Sequence, residues 1–329
     1  MNNRFLNLLA EAQAGRSHVM VDGGMGSMLM AAGLVFGDPP DQWNILPDKQ
    51  AKVRAVYRGY LDAGSQIILT NSFGGTPFRL KMHNLDGKTF DINKAAAELA
   101  RLEAGERVVA GSMGPSGELF EPMGKLTYEH AVAGFARQAE GLAAGGVDVF
   151  WVETMSDLNE VRAAVEGARQ AAPNIPVVTT MTFETRGFTM MGVSPAQAIT
   201  ELAKLNVAAI GANCGNGPDE LEATIFAMHR ELPEMTVVAK GNAGMPQMVD
   251  GKAVYNATPD VMGGFARRFR AFGATIIGAC CGSTPDHIRL MAHQLGAFPA
   301  LDPASLQLSV PLPERKVLSS DRRERRAQR

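Results

Sequence analysis

The chain has 329 residues, 46% of them hydrophobic, and a formal net charge of −2. That length can bury a large core and suits one large barrel or two medium domains. Near-neutral charge speaks against a nucleic-acid or polyanion partner, and no apolar run is long enough to span a bilayer.

The segment from Met1 to Leu9 lacks a basic end followed by a long apolar stretch. It reads as a short amphipathic helix rather than a secretory signal. The expected compartment is the reducing cytoplasm, where thiolates stay free to bind metal. A first strand over His18–Asp22 ends in Gly23 and Gly24. Then come a loop rich in Pro and Asp that carries Trp43, and a helix with Lys52, Arg54, Tyr57 and Tyr60.

The second strand, Gln66–Thr70, ends in Asn71, Ser72, Phe73 and Gly74. The third, Arg107–Gly111, ends in Ser112, Met113, Gly114 and Pro115. The fourth, Val147–Val152, ends in Glu153 and Thr154, and the fifth covers Val177–Phe183. The sixth runs from Val207 into Cys214, the seventh is Thr236–Lys240, and the eighth runs from Ala274 into Cys280. Helical periodicity appears between them, for example over Tyr128–Ala144 and Pro195–Leu205.

Eight apolar strands alternating with helices predict an α/β fold, a (β/α)8 TIM barrel, over residues 1–300. The runs are continuous rather than alternating, as expected for strands buried on both faces. Chemistry in such barrels sits at the strand C-termini, and every polar motif just named falls there. A doubly wound sheet is the rival architecture, but no dinucleotide-binding glycine fingerprint follows an early strand. Residues 301–329 change character, with prolines and then Arg315, Lys316, Arg322, Arg323, Arg325, Arg326 and Arg329, and read as a solvated tail.

The chain has three cysteines, all at strand ends: Cys214 before Gly215, and the adjacent Cys280 and Cys281 before Gly282. A lone cysteine is commonly core filling. Three in these look-alike settings suit Zn²⁺, which accepts sulfur ligands and keeps a fourth position for substrate. An odd, sparse count does not fit a disulfide framework.

The motif Gly211–Gly215, Gly-Ala-Asn-Cys-Gly, followed by Gly278–Ser283, Gly-Ala-Cys-Cys-Gly-Ser, resembles the zinc signature of the homocysteine S-methyltransferase family. That family includes betaine–homocysteine methyltransferase and the homocysteine domain of cobalamin-dependent methionine synthase. The resemblance runs from about residue 18 to about residue 296. It implies an enzyme that makes methionine from homocysteine and a small methyl donor, with Zn²⁺ on Cys214, Cys280 and Cys281.

The resemblance also assigns Asp22 and Glu153 to homocysteine, where either carboxylate can pair with an ammonium; a helix N-cap is the plainer reading of a strand-end Asp. Gly23 and Gly24 would let backbone amides approach the substrate carboxylate. Asn71, Ser72, Met113, Gly114 and Pro115 would line the same mouth. Asn213 would orient the metal site or is an ordinary turn residue.

For the donor, the expectation is betaine or a related onium compound, held by aromatic faces. The segment Asp41–Asn44 resembles the one that carries a donor tryptophan in betaine enzymes, so Trp43 is the candidate wall, with Phe73 and Phe183 beside it. Against betaine, Thr154 and Gly74 stand where the animal betaine enzyme has tyrosines. The alternative is the homocysteine module of a split methionine synthase, its methyl group delivered by a corrinoid protein. A second alternative is a thiol- or metal-binding protein without catalysis. The folate and cobalamin modules of a whole methionine synthase are not expected in this length. The C-terminal extension through which animal betaine enzymes tetramerise is not expected either, so no oligomeric state carries over.

Overall fold

The computed structural model describes residues 3–15, 17–184, 186–245, 247–249 and 252–312. Strands β1 (Val19–Met20), β2 (Ile67–Leu69), β3 (Val108–Met113), β4 (Val149–Met155), β5 (Val177–Met181), β6 (Ala209–Cys214) and β7 (Val237–Gly241) appear in chain order. Two short strands, β8 (Gln247–Val249) and β9 (Lys252–Val254), then pair as an antiparallel hairpin that the sequence reading does not anticipate. Strand β10 (Ala274–Ala279) completes the set. All but the hairpin strands belong to one parallel sheet of eight, in the order β1-β10-β7-β6-β5-β4-β3-β2. A bridge between Val21 and Ile67, with the Asp22 amide donating to Ile67 O at 3.1 Å, brings the two edges of the sheet together. The expected (β/α)8 barrel is therefore formed.

The strand pattern explains the closure. Every residue of β3, β5 and β7 is buried, so their continuous apolar runs serve both faces of the sheet. One apolar cluster joins Val19, Val108, Val149, Trp151, Val178 and Val238 with Phe5, Leu9 and Ala12 of the helix Arg4–Ala14. That helix is tied down by Asn3 Nδ2 donating to Asp148 O (2.8 Å) and Gln13 Nε2 donating to Thr236 Oγ1 (3.0 Å). Both partners precede a strand, so the helix plugs the N-terminal end of the barrel and leaves the C-terminal end for the site. A larger cluster, including Tyr57, Phe135, Phe150, Ile210 and Phe269, brings core-facing residues of the surrounding helices together with residues of the sheet.

Local signals set the helix boundaries. The predicted helix over Tyr128–Ala144 is observed with those bounds, begun by the Thr127 hydroxyl accepting from the His130 amide. The helix from Pro195, capped by Ser194, ends at Ala203, short of the expected Leu205. Strand β5 likewise stops at Met181 rather than Phe183. Among the described residues no helix is long and apolar enough to cross a membrane. Within the expected tail, Pro303–Ser305 forms one short helical turn, and the basic residues from Arg315 onward lie outside the described residues.

One expectation is overturned. Trp43 is not an accessible loop residue: it is 5% exposed and belongs to the larger core cluster. The short helix Pro40–Ile45 is turned inward by its polar neighbours. Asp41 Oδ1 accepts from the Gly74 amide at 3.0 Å, and Asn44 Nδ2 donates to Asn71 O at 2.7 Å. The ammonium groups of Lys49 and Lys52 already lie 5.6 and 5.3 Å from the indole centre. Trp43→Ala should therefore cost about 3–5 kcal/mol of stability, as for other buried aromatics. Urea unfolding checks this; an unchanged midpoint would contradict the core assignment.

Asp41 supplies a second prediction. Burial raises its pKa from 3.8 to about 6, against the hydrogen bond from Gly74. The folded chain thus holds this proton more tightly than the unfolded chain, and stability falls as pH rises from the unfolded to the folded pKa. Asp41→Asn removes that cost and can still accept from Gly74. Relative to wild type, the variant should gain on the order of 2–3 kcal/mol between pH 4 and pH 7. Thermal melts across that range test it, and a difference independent of pH would count against it.

Candidate metal and acceptor site

The three cysteines meet at the C-terminal end of the barrel. Their sulfurs lie within 4.8 Å of one another, with Cys214 Sγ to Cys280 Sγ at 3.0 Å and Cys280 Sγ to Cys281 Sγ at 4.0 Å. Strand register produces this meeting: β7 pairs Gly241 with Cys214 on one side and with Ala279 on the other. The Cys280 amide then donates to Gly241 O at 2.7 Å. Cys214 turns sharply out of β6 with φ +58°, a left-handed conformation that a non-glycine residue adopts at some cost.

Two residues brace the cysteine loops. Asn213 is buried. Its Oδ1 accepts from the Thr154 amide (2.9 Å) and from Thr180 Oγ1 (2.6 Å), and its Nδ2 lies 3.5 Å from Cys214 Sγ. Asn242, which sequence reasoning missed, links the two motifs. Its Oδ1 accepts from the Cys281 amide (3.1 Å) and its Nδ2 donates to Gly215 O (2.8 Å).

The thiol chemistry fits a soft cation. Cys214 is pushed well above its ordinary pKa, first by hydrogen bonds to Cys280 and Cys281 and then by burial. Cys281 is pulled down by the hydrogen bonds it receives from Cys214 and Cys280. Tetrahedral zinc with sulfur at 2.3 Å would space its ligands about 3.8 Å apart, between the two separations found here. The donor set and its spacing thus suit Zn²⁺, with one coordination position left for a substrate atom.

Beside the sulfurs lies a cavity of about 210 Å³ lined by Asp22, Asn71, Ser72, Phe73, Glu153 and Lys240 among others. Gly23, Gly24 and the three cysteines also border it. Met113 and Gly114, expected at the mouth, do not: Met113 is fully buried in the core and Gly114 packs under Phe73. Trp43 is also absent from the lining, and Phe183 is buried. A Cβ at Gly74 would stand 2.8 Å from Asp41 Oδ2, so this position cannot supply an aromatic wall without displacing Asp41.

The glycines are also required by close packing between loops. A Cβ on Gly23 would meet Ser283 Oγ at 2.5 Å, and one on Gly24 would meet Cys280 O at 2.7 Å. The Gly24 amide already donates to Ser283 Oγ at 3.0 Å. These glycines let the loop after β1 pack against the loop that holds Cys280 and Cys281.

The charged groups are also arranged differently. Lys240, at the end of β7, is 2% exposed and its Nζ lies 3.0 Å from Asp22 Oδ1. The other Asp22 oxygen accepts from the Leu69 amide at 2.7 Å. Glu153 accepts from the Ser112 hydroxyl through Oε1. Burial raises the Glu153 pKa to about 7, partly opposed by Lys240. Burial also raises Asp22, again against the attraction of Lys240. For Lys240 burial alone would lower the pKa, but Asp22 and Glu153 outweigh it and raise it. A lysine inside a wholly buried strand was the signal available in the sequence.

Comparison with known proteins agrees with this geometry. Residues 19–295 match the model of the family described as homocysteine S-methyltransferase. Methionine synthase of Mycobacterium leprae is 34% identical over 293 residues, covering 83% of this chain and 24% of that protein. Methionine synthase of Mycobacterium tuberculosis matches to the same extent. The chain thus spans about a quarter of the length of these curated relatives. Among solved structures, the metallated form of the homocysteine methyltransferase MmuM from Escherichia coli has a TM-score of 0.72 at 24% identity. It covers 88% of this chain and 100% of that one. The oxidized form of MmuM gives 0.73, also at 24% identity, covering 89% of this chain and 100% of that one. At this identity the likeness speaks for the barrel fold alone.

The metal assignment predicts about one zinc per purified chain. Cys280→Ala should lose most of it while keeping its circular dichroism, since the sulfurs sit at the barrel mouth. Elemental analysis of the two proteins is the measurement. Full zinc content in the variant would remove Cys280 from the ligand set.

Proposed function

The chain belongs to the homocysteine S-methyltransferase family, and from that premise we propose that it transfers a methyl group to homocysteine, giving methionine. The observation that carries this reading is one cavity holding three convergent thiols and the buried carboxylate of Glu153. Cys214, Cys280 and Cys281 would hold Zn²⁺, which, when bound, lowers the pKa of an acceptor thiol so that its sulfur is an ionised nucleophile at neutral pH.

The remaining steps belong to the protein's own groups. Glu153, set by Ser112, accepts the ammonium of the amino acid and holds its sulfur toward the cysteines. Asn213 and Asn242 fix the two cysteine loops, so the sulfur approaches along one direction. Phe73, 40% exposed, supplies an apolar wall of the cavity. The attacking sulfur forms a bond to the methyl carbon as the bond to the donor breaks. The donor leaves with that electron pair.

The donor that fits best is a methyl group carried on a corrinoid by a separate protein. Trp43 is buried in the core and Gly74 has no room for an aromatic, so an onium cage is poorly supplied. Likeness to two methionine synthases supports the same reading. Betaine or a related onium compound is the second reading, favoured by the accessible face of Phe73. A reducing cytoplasmic setting suits free thiols in either case.

Zinc-loaded protein should form methionine from homocysteine and methylcobalamin, and give little turnover with betaine. The reverse result would restore betaine as the donor. No methionine from either donor would overturn the enzymatic reading.

A further inference from the structure

Three observations bear on how the acceptor amino acid is held, and they rest on the acceptor reading just given. First, both oxygens of Asp22 already hold a partner inside the protein: one pairs with Lys240 and the other accepts from the Leu69 amide. Its carboxylate is thereby tied to the lysine at the cavity wall. Secondly, the Gly24 amide is engaged by Ser283, so it does not offer itself to a substrate carboxylate. Thirdly, an ammonium has three N–H donors, and among the described residues Lys240 Nζ meets one hydrogen-bond acceptor, Asp22 Oδ1. Its other donors belong to a buried group that lines the acceptor cavity. Buried donors of a charged group are costly to leave unpaired.

We propose that Lys240 anchors the carboxylate of the acceptor while Glu153 takes its ammonium. Asp22 then serves as a positioning residue: it holds the lysine in place and offsets its charge. Glu153 has the complementary opening, since Oε1 accepts from Ser112 while Oε2 meets no donor among the described residues. A zwitterion placed between Lys240 and Glu153 would satisfy both groups and add no net charge to the cavity. A thiol with an ammonium but no carboxylate would leave the lysine donors unpaired. Lys240 is thus a specificity-determining residue that selects α-amino-acid thiols.

Titration calorimetry on the zinc-loaded full chain tests this without turnover. The ligands are L-homocysteine, 3-aminopropane-1-thiol, which lacks the carboxylate, and 4-mercaptobutanoate, which lacks the ammonium. Wild type should bind homocysteine about 30-fold more tightly than 3-aminopropane-1-thiol, the size expected for a buried charge-assisted hydrogen bond. Lys240→Met combined with Asp22→Asn removes the Lys240–Asp22 pair as a unit, leaving no charge at position 22 without its partner, and should bring the two affinities within about threefold by weakening homocysteine alone. Lys240→Arg should restore much of the preference. Glu153→Gln should weaken homocysteine but leave 4-mercaptobutanoate nearly unchanged. If the double variant does not fold, Lys240→Gln serves in its place, because it can still hydrogen-bond to Asp22.

A homocysteine preference that survives loss of Lys240 would overturn the proposal, as would an equal loss for both thiols. Wild type that binds both thiols without distinction would overturn the proposal alone. Wild type that binds none of them would overturn the acceptor reading and the proposal with it.

Discussion

The parallel pairing of β7 with β6 on one side and β10 on the other is the constraint on which the site depends. It sets Cys214 and Cys280 on the two strand exits that flank β7, both held in register by the same short strand. Neither cysteine motif makes a site alone. The left-handed turn at Cys214 and the bond from Cys280 N to Gly241 O aim the sulfurs at one point. Asn242, the residue after β7, then ties the loops together. The sulfurs are therefore placed largely by sheet geometry, and a rigid scaffold of this kind limits the reorganisation that binding a metal requires.

A second feature is how charge is kept in a cavity lined by buried groups. Two carboxylates beside three cysteines would crowd negative charge in such a site. Burial pushes Glu153 up to about 7 even with Lys240 nearby. Lys240 offsets part of that charge, and the pair with Asp22 gives it a fixed position. Buried pairs of this kind contribute little net stability compared with apolar packing. Their use here is to hold an ammonium in one place inside the barrel lumen. The Ser112 hydroxyl does the same for Glu153, and it is set by the Thr70–Ser72 pair through the Ser112 backbone.

Much of this was legible in the sequence, for reasons that separate local from long-range physics. The barrel strands were readable because parallel strands buried on both faces demand unbroken apolar runs, as in Val237–Ala239 and Ala274–Ile277. The helix from Tyr128 was readable because its apolar residues recur at helical spacing, and the structure adds Thr127 as its cap. The sulfur cluster followed from placing all cysteines at strand ends. What could not be read depends on neighbours distant in sequence. Trp43 lies in a polar loop, but partners at Asn71 and Gly74 turn that loop inward. Gly23 and Gly24 suggested a substrate cradle, whereas their neighbours are Ser283 and Cys280. Lys240 stood in a strand with no indication that Asp22, 218 residues away, would face it.

The central claim is that three cysteine thiolates hold a zinc ion whose fourth position takes the sulfur of the acceptor. Zinc K-edge absorption on the loaded protein, before and after adding homocysteine, addresses it most directly. The account predicts three sulfur neighbours at about 2.3 Å, rising to four when homocysteine is added. A sulfur count that does not rise would contradict direct capture of the acceptor. A zinc shell without sulfur would contradict the site itself.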